Sequence, residues 1–224
     1  MSLFCLVHGS TQNAACWDLL IPKLERRGHD VLCMLWPTNE PEASAVRYAE
    51  VIAALIPLDC DDAIVVAHSA SGLFLPLVPQ RRLVRRLVFL AAIIPQIGKS
   101  LRDQVNEDKN MFNPEWLGKD PTKDDELARK FLFHDCSPEM TNWALSTMNL
   151  MFARQAILEI CPLSTWPAVS SSYILSLDDK AIQPEWSRRA ARERLGVDPI
   201  ELPGGHCPYV SRPSDLADVL SALD

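Results

Sequence analysis

The feature that most constrains this chain is a series of short, wholly apolar runs separated by longer amphipathic stretches. The runs are Leu3–Val7, Val31–Leu35, Ala63–Ala67 and Leu87–Ala91. They lack the apolar–polar alternation of a half-exposed strand, so each is expected to be buried on both faces of a parallel sheet. Between them Trp17–Arg27, Ala43–Ile56 and Ser71–Leu77 read as helices. In the first, Leu20, Ile21 and Leu24 share one face, Lys23, Arg26 and Arg27 take the other, and Gly28 supplies a stop. Strand and helix in regular alternation imply an α/β fold with a doubly wound, mainly parallel sheet.

The alternation lapses after Ala92. Residues 95–168 are rich in helix formers, charges and breakers such as Pro114, Pro121 and Pro138, without a buried strand. It resumes with a strand at Ser171–Leu177, a helix at Pro184–Leu195, a short strand at Pro199–Leu202 and a helix at Pro213–Leu223. The expected organisation is therefore a single domain over 1–224, with 95–168 inserted as a helical cap.

Composition removes several function classes. Lys and Arg total 22 against 29 Asp and Glu, a net charge of −7, so neither nucleic acid nor an anionic membrane is an expected partner. Arg81-Arg82 and Arg85-Arg86 form the one dense basic cluster and read as a solvated loop at a helix end. No run approaches the ~18 apolar residues needed to span a bilayer, and Leu3–Val7 is too short for the core of a signal peptide. The seven cysteines are odd in number and include no C-x-x-C pair, which speaks against a disulfide framework or a zinc site and for a reducing cytoplasm.

Chemistry-bearing residues gather at the expected carboxyl ends of the strands, where open α/β sheets bind ligands. Ala67-His68-Ser69-Ala70-Ser71 follows the third strand and is close to G-x-S-x-G, with Ala67 and Ser71 in the glycine positions. Small residues are needed there because the strand-to-helix turn brings backbone close to a strained nucleophile, which would be Ser69. Serine is also a common helix N-cap. His8-Gly9-Ser10 follows the first strand, and the N–H groups of Ser10 and Ala70 could hold a developing oxyanion, although a glycine turn has an ordinary structural reading. Asp178-Asp179 and then Gly204-Gly205-His206 end the later strands. A solvated aspartate or a surface histidine is common, but Ser, Asp and His at successive strand ends in this order match the requirement for nucleophile, orienting acid and base. Spacing alone leaves Asp178 and Asp179 as alternatives for the acid.

The whole chain resembles the α/β-hydrolase superfamily, and within it the plant-type group of methyl esterases and hydroxynitrile lyases. The resemblance rests on LVHGSTQNAACWDLLIPKLERRGHDV at 6–31, VVAHSASG at 65–72, DDKAIQPEW at 178–186 and GGHCPYVSRPSDLADVL at 204–220. It implies an α/β-hydrolase fold and, because the family's acid precedes Ile and Pro-Glu-aromatic, it favours Asp179 over Asp178. The plant lyases carry a threonine after the loop histidine and a lysine after the catalytic histidine, where this chain has Gly9 and Cys207. A departing cyanide needs a nearby cation that Cys207 cannot supply, so the resemblance points to the esterase branch.

The expected activity is thus hydrolysis of a small, largely apolar carboxylic ester, thioester or lactone by Ser69, His206 and Asp179, with no metal and no cofactor. Lyase or cyclase chemistry with the same Ser–His pair, and a small-molecule receptor on the same fold, are the alternatives. In the cap, Trp116, Trp143, Met148, Met151 and Phe152 are candidates to line an apolar pocket above Ser69. No cap lysine or arginine is obviously aimed at the site, His68 is expected to pack against the oxyanion loop, and His134 has no assigned part.

Overall fold

The computed structural model describes residues 2–36, 40, 42–149 and 154–224. In chain order, β1 (Leu3–Val7) leads through a 3-10 turn at Ala14–Trp17 to α1 (Ile21–Glu25), β2 (Asp30–Cys33), α2 (Ala45–Leu55) and β3 (Ile64–His68). Two 3-10 stretches, Ser69–Leu73 and Leu75–Gln80, then precede β4 (Arg86–Leu90). Between β4 and the next strand the described residues hold α3 (Leu101–Glu107), α4 (Asp125–Phe131), α5 (Pro138–Ser146) and α6 (Arg154–Leu158), and no strand. The chain closes with β5 (Ser170–Ser176), α7 (Pro184–Ala190), β6 (Ile200–Leu202), α8 (Pro208–Ser211) and α9 (Pro213–Ser221).

Among the described residues, six strands form one sheet in the order β2-β1-β3-β4-β5-β6, every pair parallel. Successive side chains on a strand point to opposite faces, so apolar runs without alternation supply two cores. Cys5, Val7, Val65, Ala67, Leu87, Phe89, Tyr173 and Leu175 belong to one, with Tyr48 and Ile52 of α2 and Trp186 of α7. Phe4, Leu6, Ile64, Val66, Val88, Leu90 and Ile174 belong to the other, with Leu24 of α1 and Leu216 and Leu220 of α9. This is the doubly wound sheet expected of the sequence, the order reversing around β1, which starts the chain beside β3.

Helices depart from expectation where proline intervenes. Pro76 lacks the N–H that an α-helix over Ser71–Leu77 would use, and the chain takes 3-10 turns instead. Pro22 begins α1 anew after the turn at Ala14–Trp17, so the expected single helix is divided. The helix over Pro184–Leu195 ends in a π-helical turn at Ala191–Leu195, closed by Gly196 at φ +68°. No helix among the described residues is long and apolar enough to cross a membrane. All seven cysteines are free thiols. Of the basic cluster, Arg85 pairs with Asp224 and Arg86 donates to the Ser172 hydroxyl, so it is partly neutralised at the sheet edge.

Candidate active site

Parallel strands deliver the chain to one edge of the sheet. Ser10 lies beyond β1, Ser69 follows β3, Asp178 and Asp179 follow β5, and His206 follows β6. At the β3 turn Ser69 has φ +56°, a left-handed conformation that L-residues with a side chain seldom adopt. It is held there from both sides. The Ser69 carbonyl accepts the Ile93 N–H at 3.0 Å, and a side chain at Gly72 would run into the Ile93 carbonyl. A Cβ at Gly9 would stand 3.1 Å from Ser69 Cβ and 3.0 Å from His68 Nδ1, so glycine there lets the β1 loop close onto the turn.

Ser71, standing where the motif usually has glycine, has a use for its hydroxyl. Fully buried, it donates to the His8 carbonyl, which also accepts the Trp36 indole N–H at 3.2 Å. The β3 turn and the β1 loop are thereby tied directly to each other.

His206 stands between two groups. Its Nδ1–H donates to Asp179 Oδ2 at 2.7 Å, and its Nε2 faces Ser69 Oγ at 3.0 Å. With Nδ1 committed to a carboxylate, Nε2 is the bare nitrogen, positioned to accept the serine proton. Asp179 is buried and its other oxygen accepts the Ala181 and Ile182 N–H groups at 2.8 and 3.0 Å. Asp178 turns the other way: Oδ2 accepts the Gly204 N–H at 3.0 Å, and its own N–H donates to the Gly204 carbonyl at 2.9 Å. Of the two adjacent aspartates, Asp179 is the one that meets His206.

His68 is buried and kept neutral: burial, and then the neighbouring His206, hold it well below the ordinary imidazole range. Its Nε2–H donates to the His206 carbonyl at 2.9 Å, so it braces the loop that carries His206 as well as abutting Gly9. His8 is pushed down to about 4 by burial; its Nδ1–H donates to the Gly9 carbonyl at 2.9 Å. Tyr209 meets His68 edge to face and donates to the Gln12 side-chain oxygen, closing the interior behind the site.

Above these groups lies a cavity of about 640 Å³. Ser10, Thr11, Ser69, Ala70 and His206 contribute its polar base, and Ile93, Val105, Phe112, Trp116 and Leu158 its apolar walls. Trp143 and Met148 are absent from that wall: both pack, partly buried, against the core cluster containing Phe133, Ala144 and Tyr209, with Met148 bridged to Gln12. Helical spacing could not tell which apolar face of the segment met the core and which the cavity. Met151 and Phe152 lie outside the described residues. Arg102 and Lys119 also line the cavity, two cations of a segment in which the sequence marks no lysine or arginine as aimed at the site. Among the described residues no His/Cys/Asp/Glu cluster suited to a metal ion is present.

Sequence reasoning missed the bracing by His68, the Ser71 tie and the contacts of His134 and Asp135 with the turns before His206 and at Asp178. Only the Gly204-Gly205 pair hinted at the last, by announcing a close approach.

The alpha/beta hydrolase family profile matches residues 6–219. The chain is 26% identical to Methylesterase 1 of Arabidopsis thaliana over 250 residues, covering 96% of this chain and 93% of that one. It is also 26% identical to the alpha/beta hydrolase nvfD of Aspergillus novofumigatus over 232 residues, covering 93% and 90%. The crystal structure of polyneuridine aldehyde esterase superposes with a TM-score of 0.78 at 24% identity, covering 100% of this chain and 99% of that one, a likeness of fold.

Proposed function

Because the chain belongs to the alpha/beta hydrolase family, we propose that it is a serine esterase whose catalytic triad is Ser69, His206 and Asp179. The observation that carries this reading is the relay itself: a serine oxygen in a left-handed turn, 3.0 Å from the bare nitrogen of an imidazole whose other nitrogen donates to a buried carboxylate at 2.7 Å.

In the first half-reaction Ser69 Oγ attacks the ester carbonyl carbon as its proton passes to His206 Nε2. The carbonyl oxygen becomes an oxyanion, which the backbone N–H groups of Ser10 and Ala70 are assigned to receive, a reading supported by both residues lining the cavity together with Ser69. The imidazolium then returns the proton to the leaving alcohol as the C–O bond breaks. Water, deprotonated by His206, attacks the acyl-serine and releases the acid. Asp179 keeps the imidazole in the tautomer this requires.

The apolar walls and compact volume suit a small ester, and methyl esters are the first class to try, given similarity to methylesterases at 26% identity. The helical segment 95–168 is read as the cap over this site. Cyanohydrin cleavage is disfavoured by Cys207: its thiol is buried, held protonated by burial, and aimed at Tyr209 and Gln12. The chain carries no cation in that place.

The test is intact-mass analysis after incubation with a fluorophosphonate, comparing wild type with Ser69→Ala. A single adduct in wild type, absent in the variant, supports an activated Ser69, and turnover of methyl and p-nitrophenyl esters should fall by about 10⁶ in Ser69→Ala. Near-normal turnover in the variant sinks the assignment. Saturable binding of an ester without turnover by wild type favours a receptor, and bond cleavage without an acyl-enzyme favours a lyase.

A further inference from the structure

The hydrogen bonds around His206 extend past the Ser69–His206–Asp179 relay into the segment between β4 and β5. Asp135, just beyond α4, accepts the N–H of Gly205 on Oδ2 at 2.7 Å; this is the residue immediately before His206. Its neighbour His134 donates from Nε2 to the Asp178 carbonyl at 3.0 Å. Asp178 in turn exchanges backbone and side-chain bonds with Gly204. A dipeptide from the helical segment therefore grips both turns on which acid and base are mounted.

The two glycines make room for that grip. A Cβ at Gly205 would stand 2.8 Å from His134 Nε2 and 2.9 Å from Asp135 Oδ1, and one at Gly204 would stand 2.6 Å from Asp135 Oδ2. Gly204 also has φ +103°, which glycine adopts without strain. The His206 backbone is thus fixed on one side by His68 at its carbonyl and on the other by Asp135 at the preceding peptide. Neither His134 nor Asp135 lines the substrate cavity.

We propose that Asp135 is a positioning residue that sets where the His206 imidazole stands between Ser69 and Asp179. The inference rests on the triad reading above. A hydrogen bond donated by a backbone N–H to a carboxylate is among the stronger kinds, and this one acts one peptide from the base. A displacement of about 1 Å at such a base costs on the order of 10²-fold in rate. Because Asp135 stays clear of the cavity, its loss should lower turnover and leave substrate affinity alone.

The experiment compares Asp135→Ala, Asp135→Asn and Asp135→Glu on p-nitrophenyl acetate, with fluorophosphonate labelling rate as a second readout. Asp135→Ala should lower kcat by about 10- to 100-fold with KM within about twofold, and labelling should slow in step. Asp135→Asn keeps an acceptor oxygen in place and should recover to within about threefold of wild type. Asp135→Glu keeps the charge but moves the carboxylate by a methylene, so its kcat should fall by about tenfold even where Asp135→Ala does not fold. Full turnover in Asp135→Glu or in folded Asp135→Ala, a loss expressed in KM, or no recovery in Asp135→Asn overturns the proposal. Those outcomes all presuppose a wild type that labels and turns over. A wild type that does neither overturns the triad reading, and this inference with it.

Discussion

Replacing Asp179 by Asn tests the site most sharply, because the geometry dictates what an amide must do there. The carboxylate faces three donors: Ala181 N–H and Ile182 N–H on Oδ1, and His206 Nδ1–H on Oδ2. An amide offers one oxygen and one NH₂ group. Placing the oxygen toward the two backbone donors satisfies both and sets NH₂ against His206 Nδ1. The reverse placement confronts two N–H groups with a donor in a buried setting, each costing about 1–3 kcal/mol. The first arrangement therefore prevails, and the imidazole must present a bare Nδ1 and carry its proton on Nε2. That nitrogen is the one facing Ser69, and in this tautomer it cannot accept the serine proton.

The expected loss in kcat is about 10⁴, or roughly 5.5 kcal/mol of transition-state stabilisation, with KM little changed. Asp178→Asn is the internal control. Its single side-chain bond to Gly204 N–H can be kept by an amide oxygen, so turnover should stay within about threefold of wild type. Both variants would be assayed on p-nitrophenyl acetate alongside their urea midpoints. Activity of Asp179→Asn within tenfold of wild type, or a larger loss in Asp178→Asn, refutes the tautomer argument.

Acid should weaken the fold through its buried imidazoles. His8 is pushed down to about 4 and His68 well below the ordinary range, both mainly by burial; the unfolded chain binds their protons from about pH 6.5 downward, so stability is lost as pH falls from there toward 4. His8 alone accounts for up to about 3 kcal/mol, and equal urea midpoints at pH 7.5 and 5 would contradict this. Arg102 and Lys119 line the cavity exposed, and among the described residues neither has an ion-pair partner. An ester with a carboxylate at its far end should therefore outpace its neutral analogue in kcat/KM by about fivefold at low salt, an advantage that Arg102→Gln with Lys119→Gln removes. An unchanged preference in the double variant would exclude these cations as its source.

How much of this was legible in the chain depended on the range of the interaction. Strands such as Leu3–Val7 declared themselves because burial on both faces leaves no polar position, a purely local mark. The turn at Ser69 and the loops at Ser10, Asp179 and His206 were placed by strand order, and the structure brings them to one edge. Helices were blurred where Pro22 and Pro76 interrupt them, since proline shifts a hydrogen-bond pattern without altering the apolar spacing. The contact of Asp135 with Gly205 spans 70 residues and leaves no local trace. The same is true of the choice between Trp116, which lies in a turn, and Trp143, which lies on α5: both pack against one core cluster, and of the two it is Trp116 that also lines the cavity.

The seven thiols carry one more consequence. Each is held above the ordinary range, chiefly by burial, with Cys5, Cys33 and Cys136 pushed up to about 12. Since the thiolate is the species that alkylating reagents attack, the buried thiols Cys5, Cys16 and Cys207 are shielded in the folded chain, and their modification becomes a clock for opening. Alkylation at Cys5 would time the parting of the central sheet, at Cys16 the loosening of the turn at Ala14–Trp17, and at Cys207 the release of the base loop. Their relative rates would give the order in which the molecule comes apart.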